Sequence, residues 1–361
     1  MRHSLTLFAV GILIAAQTWA QEPPVDWTPP PPPNTPETWD WIQTTSGEWV
    51  KGELLVMYRA EVVFDSDEFD ELTIDWDSIR EVRTAGSMTV GLTGRRTAVG
   101  RLLVQDGGVQ VIGDEHRTFG KDEVVSITAG TPREINYWDF DISVGATYRS
   151  GNTNQTETTS TARIRRRTVT KRLVFDWFAA YNTTDGTVAA DTQRAAGTLD
   201  LFFSRRFFFT PVHAEWYRDP FQNIAGMYSV SVAVGYELID SSTVEWQVSG
   251  GPGYALTQFD GVVEGESDED KDLTFVVGTT YEHEISRRID LLLDYRGTIT
   301  SEASGRYLHH LLTQFEFELT RILDVEVIWV WDRIQNPRAN PDGTIPEQDD
   351  NRLAFMFGVS F

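Results

Sequence analysis

Arg163, Arg165 and Arg167 stand two residues apart, interleaved with Ala162, Ile164 and Arg166. A period of two sends alternate side chains to opposite faces of a strand, so these three arginines share one face. Carboxylates recur at the same spacing: Asp139 with Asp141, Glu282 with Glu284, Glu316 with Glu318, Asp324 with Glu326, and Asp290 beside them. If one enclosure holds all of them, they must pair, because an unpaired charge in a partly desolvated interior is expensive. The chemistry such a set supports is a stiffening salt-bridge network or a charge-selective constriction.

Bond-making chemistry finds less support. A lipid-cleaving site of the His–Ser kind wants the two side chains on one face. His283 and Ser286 are three apart and point to opposite faces of a strand, while His309 and His310 have no serine at the right spacing. His213 and Glu215 share a face, but the obvious acid pair, Asp139 with Asp141, falls at the opposite rim. No GxSxG, HExxH or phosphate loop is present. We therefore expect no catalytic residues and no enzyme. The loop from Asp260 to Asp272 carries Glu264, Glu266, Asp268, Glu269 and Asp270. It lacks the fixed ligand spacing and glycine of a calcium loop, so it reads as a solvated acidic loop, and no metal or cofactor is expected.

The elements that must position these charges follow from the same alternation. Leu353, Phe355, Phe357, Val359 and Phe361 alternate with Arg352, Ala354, Met356, Gly358 and Ser360. A strand with large apolar residues on one face and small or polar ones on the other suits a sheet that meets lipid outside and water inside. Twelve such segments are expected: 137–149, 156–169, 172–183, 192–205, 206–218, 226–238, 243–257, 272–285, 288–300, 306–319, 322–334 and 350–361. Tight connections such as Thr170-Lys171, Arg205-Arg206 and Thr320-Arg321 alternate with longer ones such as 258–271 and 335–349. That asymmetry predicts short periplasmic turns and long outer loops. In the first segment Trp138, Phe140, Ile142, Val144, Ala146 and Tyr148 form the lipid face, with aromatics at both ends for the head-group girdles.

The rest of the chain fits export. Arg2 precedes an apolar run from Leu5 to Ala16, and Thr18-Trp19-Ala20 offers a small-residue cleavage site, so 1–20 reads as a signal peptide. Nowhere are there about eighteen consecutive apolar residues, which excludes helical spans. Eight prolines between Pro23 and Pro36 make 21–40 a semi-rigid linker. Residues 41–132 read as a small β domain of two weak repeats. Gly52-Glu53-Leu54-Leu55 leads to Asp77-Ser78-Ile79, and Gly100-Arg101-Leu102-Leu103 to Asp122-Glu123-Val124, as in a duplicated Sm-like β-meander. Each half is expected to curl over its own apolar residues, such as Val62, Val63, Leu72 and Ile74. There is no cysteine among 361 residues, and the formal charge is −23, from 54 acidic and 31 basic residues. Disulfides are thus absent, and nucleic acid is excluded as a partner for want of a basic footprint.

The fold class expected is all-β: a 12-stranded antiparallel transmembrane barrel over 136–361, preceded by the duplicated domain. Ser150, Gly151, Asn152 and Thr153, at the end of the first barrel strand, resemble the first hairpin of the YdiY-like family of salt-induced outer-membrane proteins. The resemblance implies an outer-membrane barrel without an established biochemical activity, and it supplies no catalytic residues. The resulting expectation is a monomer in the outer membrane of a Gram-negative bacterium, with the small domain in the periplasm, serving envelope integrity or passage of small solutes. The alternative is a plugged barrel that anchors a module for a periplasmic protein partner. Lipid, lipopolysaccharide and the barrel-assembly machinery are the other partners expected. Phe357, Val359 and Phe361 form the assembly signal that this class implies. Deleting Phe361 is expected to impair membrane insertion, read as loss of the heat-modifiable folded band in outer-membrane fractions; normal insertion would refute the assignment.

Overall fold

The computed structural model describes residues 36–360, apart from 59, 67, 131–133, 152, 242, 287 and 321. The expected signal peptide, most of the expected linker over 21–40, Asn152 and Phe361 lie outside the described residues.

Nine strands come first: β1 (Asp40–Thr44), β2 (Trp49–Tyr58), β3 (Glu61–Ser66), β4 (Asp70–Asp75), β5 (Ile79–Leu92), β6 (Arg96–Gln105), β7 (Gly108–Ile112), β8 (His116–Gly120) and β9 (Val124–Ala129). The repeat is plain in the element order. The meander β2–β3–β4, a 3-10 turn at Trp76–Ser78 and β5 are matched by β6–β7–β8, a 3-10 turn at Lys121–Glu123 and β9. β1 pairs with β2 and β5, and β9 pairs with the same two, so these four strands close a small ring.

One expectation is corrected here. The two halves do not each enclose a core; Leu54, Val62, Phe64 and Val82 of the first pack with Leu102, Val104, Val111 and Ile127 of the second in a single cluster. The reason is the pairing of β9 with β2 and β5, which turns the inner faces of both meanders toward one interior. Ile74 is packed against that cluster, while Val63 and Leu72 are half-buried outside it.

Asp40 shows how β1 is held. Its carboxylate, 5% exposed, accepts the backbone N–H of Leu54 on β2 (2.9 Å) and of Ala85 on β5 (2.7 Å). Burial raises its carboxyl above the usual range, and the two N–H bonds oppose that rise.

The remaining strands are β10 (Trp138–Arg149), β11 (Gln155–Thr168), β12 (Lys171–Thr184), β13 (Thr187–Phe202), β14 (Phe207–Asp219), β15 (Ile224–Asp240), β16 (Val244–Phe259), β17 (Glu269–Ser286), β18 (Ile289–Ile299), β19 (Tyr307–Glu318), β20 (Leu323–Ile334) and β21 (Asp349–Ser360). Each pairs with its neighbour in sequence, and β21 pairs back with β10 to close a twelve-stranded antiparallel barrel. Ile142, Val144, Leu353, Phe355 and Phe357 point outward, Phe357 being 74% exposed, while Ser143 and Met356 between them are buried.

The connections depart from the expected pattern at one place. The stretch after β12, expected as a longer loop before residue 192, is a two-residue turn at Asp185-Gly186 with φ of 51° and 79°. Two positive φ values define a type I′ hairpin, which Asp-Gly adopts cheaply, so β13 starts at Thr187; the turn at its other end covers 203–206 rather than Arg205-Arg206. One rim, hereafter the near rim, has only short connections at 169–170, 203–206, 241–243, 287–288 and 319–322. The far rim mixes the tight turn with loops at 260–268 and 335–348.

Replacing Asp40 by Ala leaves two buried N–H groups without acceptors and is expected to cost about 1–3 kcal/mol. Urea unfolding followed by fluorescence of Trp76 in the small domain checks this; an unchanged midpoint would show that β1 is held otherwise.

Candidate functional site

The chemistry-bearing side chains occupy the barrel interior in layers. Nearest the near rim, adjacent strands set carboxylates directly opposite one another: Glu284 to Asp290, Asp290 to Glu316, and Glu316 to Glu326. On the other side of the closure, Asp139 stands opposite Arg165 and Asp141 opposite Arg163. A cavity of about 330 Å³ opens there, lined by Asp139, Asp141, Arg165, Glu282, Asp290 and Glu316 among others. Arg165 lies 4.0 Å from Asp139 and 3.7 Å from Glu282. Arg163 instead donates to Asp176 at 2.7 Å, a partner not foreseen from the sequence.

Two members of the expected cluster lie elsewhere. Glu318 is exposed at the near rim. Arg167 sits beneath the small domain, its guanidinium 3.7 Å from the centre of the Phe202 ring and 5.3 Å from that of Tyr58. Two aromatic faces attract the guanidinium once water is excluded, which strand alternation alone does not reveal.

Deeper in the barrel, ion pairs cross the lumen. Arg194 on β13 donates to Glu215 on β14 (2.7 Å) and to Asp332 on β20 (2.8 Å), five strands away by the shorter route round the ring. Arg296 on β18 donates to the other oxygen of Glu215, and His310 lies 2.8 Å from Asp332. Arg172 on β12 spans from Asp200 on β13 to Gln247 on β16, both at 2.8 Å. Arg352 on β21 comes within 3.5 Å of Asp219 on β14. The side chains of Glu215 and Asp332 are 5% and 8% exposed, so the carboxylates of the belt are buried. His213 lies 4.0 Å from Glu215 and 2.8 Å from the Thr198 hydroxyl, as a member of this belt.

Beside the belt, one wall is apolar: Phe178, Ala180, Ile328, Val330 and Met356 are buried together inside the barrel. Space remains on both sides of Arg296: a cavity of about 120 Å³ toward the near rim, one of about 80 Å³ lined by Asp141, Arg163, Arg194, Arg296 and His310, and one of about 40 Å³ toward the far rim, lined by Arg194, Glu215 and His310.

Arg172, Arg194 and Asp200 were not singled out from the sequence. Their signal was present as the inward alternation of Thr192, Arg194, Ala196, Thr198, Asp200 and Phe202. Recognising the belt also requires the register of strands remote in sequence. The acidic stretch expected as a loop to Asp272 is a loop only to 268, where Glu266 pairs with Arg338 at 2.9 Å; β17 begins at Glu269, and its Asp270 and Asp272 accept hydroxyl bonds from Ser301 and Ser304.

The small domain sits on two near-rim turns. Ser126 Oγ donates to Val169 O (2.5 Å), Gly94 N to Phe203 O (2.7 Å) and Tyr58 Oη to Arg167 O (3.1 Å). Val125 of β9 packs with Phe202 and Phe208. Gly91 permits the approach: a Cβ there would fall 2.7 Å from Val169 O. Burial pushes the Tyr58 hydroxyl well above its ordinary pKa against the pull of Arg167, so it remains a protonated donor. Glu61 of β3 joins the barrel residues around the 330 Å³ cavity.

A closed antiparallel barrel with an apolar outer belt and a charged interior defines a transmembrane β-barrel protein. By sequence, the chain belongs to the family described as "Protein of unknown function, DUF481", which it matches over residues 142–361. No similar protein was found among curated sequences. Among solved structures, it is similar to a NanC porin, at 9% identity and a TM-score of 0.37, covering 62% of this chain and 98% of that one. It is also similar to the outer-membrane channel DcaP of Acinetobacter baumannii, at 13% identity and a TM-score of 0.31, covering 76% and 94%.

Arg167→Ala removes the cation between the two rings. It is expected to raise amide exchange in β9 and the 169–170 turn by roughly tenfold, the equivalent of about 1.4 kcal/mol, with the barrel strands unaffected. Unchanged protection there would show that Arg167 does not hold the domain.

Proposed function

We propose that this protein is a non-enzymatic outer-membrane barrel, closed at rest, that anchors its small domain against the inner face of the membrane and contributes to envelope integrity. The observation that carries this reading is the belt of cross-lumen ion pairs around Arg194, Glu215, Arg296 and Asp332. Such ties join opposite walls of the barrel, and removing one member of a buried pair costs roughly 3–5 kcal/mol, so the belt opposes opening. Short near-rim turns beside the docked domain support a periplasmic near rim. The basic, apolar and small-residue order of 1–20 supports export. The sequence likeness of Ser150, Gly151, Asn152 and Thr153 to the YdiY-like hairpin supports a link to salt stress.

Passage of small ions is the second reading, favoured by the acidic 330 Å³ cavity at the near rim. Planar-bilayer recording of the refolded full-length protein separates the two. The closed barrel is expected to give no steady unitary conductance. Steady conductance whose cation preference changes on Arg165→Gln would overturn the anchor in favour of transport.

A further inference from the structure

Asp141 on β10, Glu316 on β19 and Glu326 on β20 each bring a carboxylate oxygen to one point, all within 4.8 Å of one another. Their register makes this costly: Glu316 stands directly opposite Asp290 on one side and Glu326 on the other. Like charges directly opposite on neighbouring strands destabilise a sheet. Among the described residues, no arginine, lysine or histidine is ion-paired with any of the three; Arg163 is held by Asp176 and Arg165 lies between Asp139 and Glu282.

A separate observation points to a ligand. Glu326 is fully buried; its Oε1 accepts the Ser143 hydroxyl at 2.5 Å, but its Oε2 has no hydrogen-bond partner. A buried carboxylate oxygen with no donor bears its full desolvation cost. Of the nearby hydroxyls, that of Ser143 is taken by Oε1 and that of Ser360 by Asp324 at 2.9 Å.

We propose that Asp141, Glu316 and Glu326 form a binding site for a hard divalent cation of the Ca²⁺ and Mg²⁺ class, reached through the near-rim cavity that Asp141 and Glu316 line. The donor set is all oxygen, with neither thiolate nor imidazole, which is the set that hard cations take. Two positive charges convert the row of repelling carboxylates into a ligand set. The ion then ties β10 to β19 and β20 past β21, the closing strand. This site is independent of whether the barrel conducts.

The test is equilibrium dialysis of radioactive calcium against the refolded full-length protein in lipopolysaccharide-free detergent, with Mg²⁺ as competitor. One site per chain is expected. Glu316→Gln and Glu326→Gln should each weaken it roughly tenfold or more, while the far-rim loop variant Glu264→Gln/Glu266→Gln/Asp268→Asn leaves it in place. Glu316 is half-buried, so its variant decides the matter if Glu326→Gln fails to fold. Absence of a stoichiometric site, its retention in the Gln variants, or its loss in the loop variant alone would overturn the proposal. So would thermal unfolding that is indifferent to chelator in the wild type, since the carboxylates would then be held neutral by shared protons.

Discussion

The whole architecture depends on one ladder, the pairing of β10 with β21. In hydrocarbon no water is available to backbone N–H and C=O groups, so a sheet is tolerated only if it has no edge. Asp141, Ile142, Ser143 and Val144 meet Ser360, Val359, Gly358 and Phe357 at this closure, whereas β10 and β11 pair along their full length. The closure is therefore the thinnest seam in the barrel, and side chains reinforce it. Ser143 on β10 bonds to Glu326 and Ser360 on β21 bonds to Asp324, so β20 is stitched to both strands of the seam. Glu326, which makes one of these stitches, is also one of the three clustered carboxylates, which links closure of the barrel to the charge of its interior.

The cross-lumen belt follows from the same geometry. A ring of twelve strands leaves space between opposite walls, and residues such as Arg194 and Arg172 are long enough to cross it. Once they do, their partners are desolvated and each charge must find a second bond; Glu215 accepts from both Arg194 and Arg296. The apolar group of Phe178, Ile328, Val330 and Met356 removes water from one side of these pairs. Charge network and apolar wall thus reinforce each other, since a wet lumen would screen the pairs and an unpaired charge would admit water.

Much of this was legible because lipid imposes a simple rule on sequence. Most outward positions are apolar, so Leu353, Phe355 and Phe357, or Ile142 and Val144, announce their strand and its face without knowledge of neighbours, whereas Thr156, Thr158 and Ser160 give β11 only a thin outer face. The twelve strands were recognisable for that reason, and so was the inward course of Asp139, Asp141, Arg163 and Arg165. The Asp185-Gly186 hairpin was missed although its residues are the usual ones for a type I′ turn, because the polar stretch around it reads equally well as a loop. Pairings were not legible. Alternation gives the face and approximate depth of Arg163, but the choice of Asp176 over Asp141 depends on rotamers and on the register of β11 against β12. Nor was Arg167 legible as an interface residue, since Tyr58 lies more than a hundred positions away in sequence and belongs to another sheet.

Docking of the small domain is the remaining consequence of the near rim. Its turns are short and carry free backbone carbonyls, such as those of Val169 and Phe203, which point off the end of the barrel. Ser126 and Gly94 satisfy them from the duplicated domain, and Phe202, at the end of β13, is covered by Val125 and by the Arg167 guanidinium. The end of the barrel is thus finished by protein rather than by water at this point, and Glu61 is carried over the acidic cavity as a result. Both halves of the duplicated fold share the two tasks: β1 and the first half, β5 included, supply Asp40, most of the core and the docking contacts of Tyr58 and Gly94, while β9 of the second half adds Ser126 and Val125.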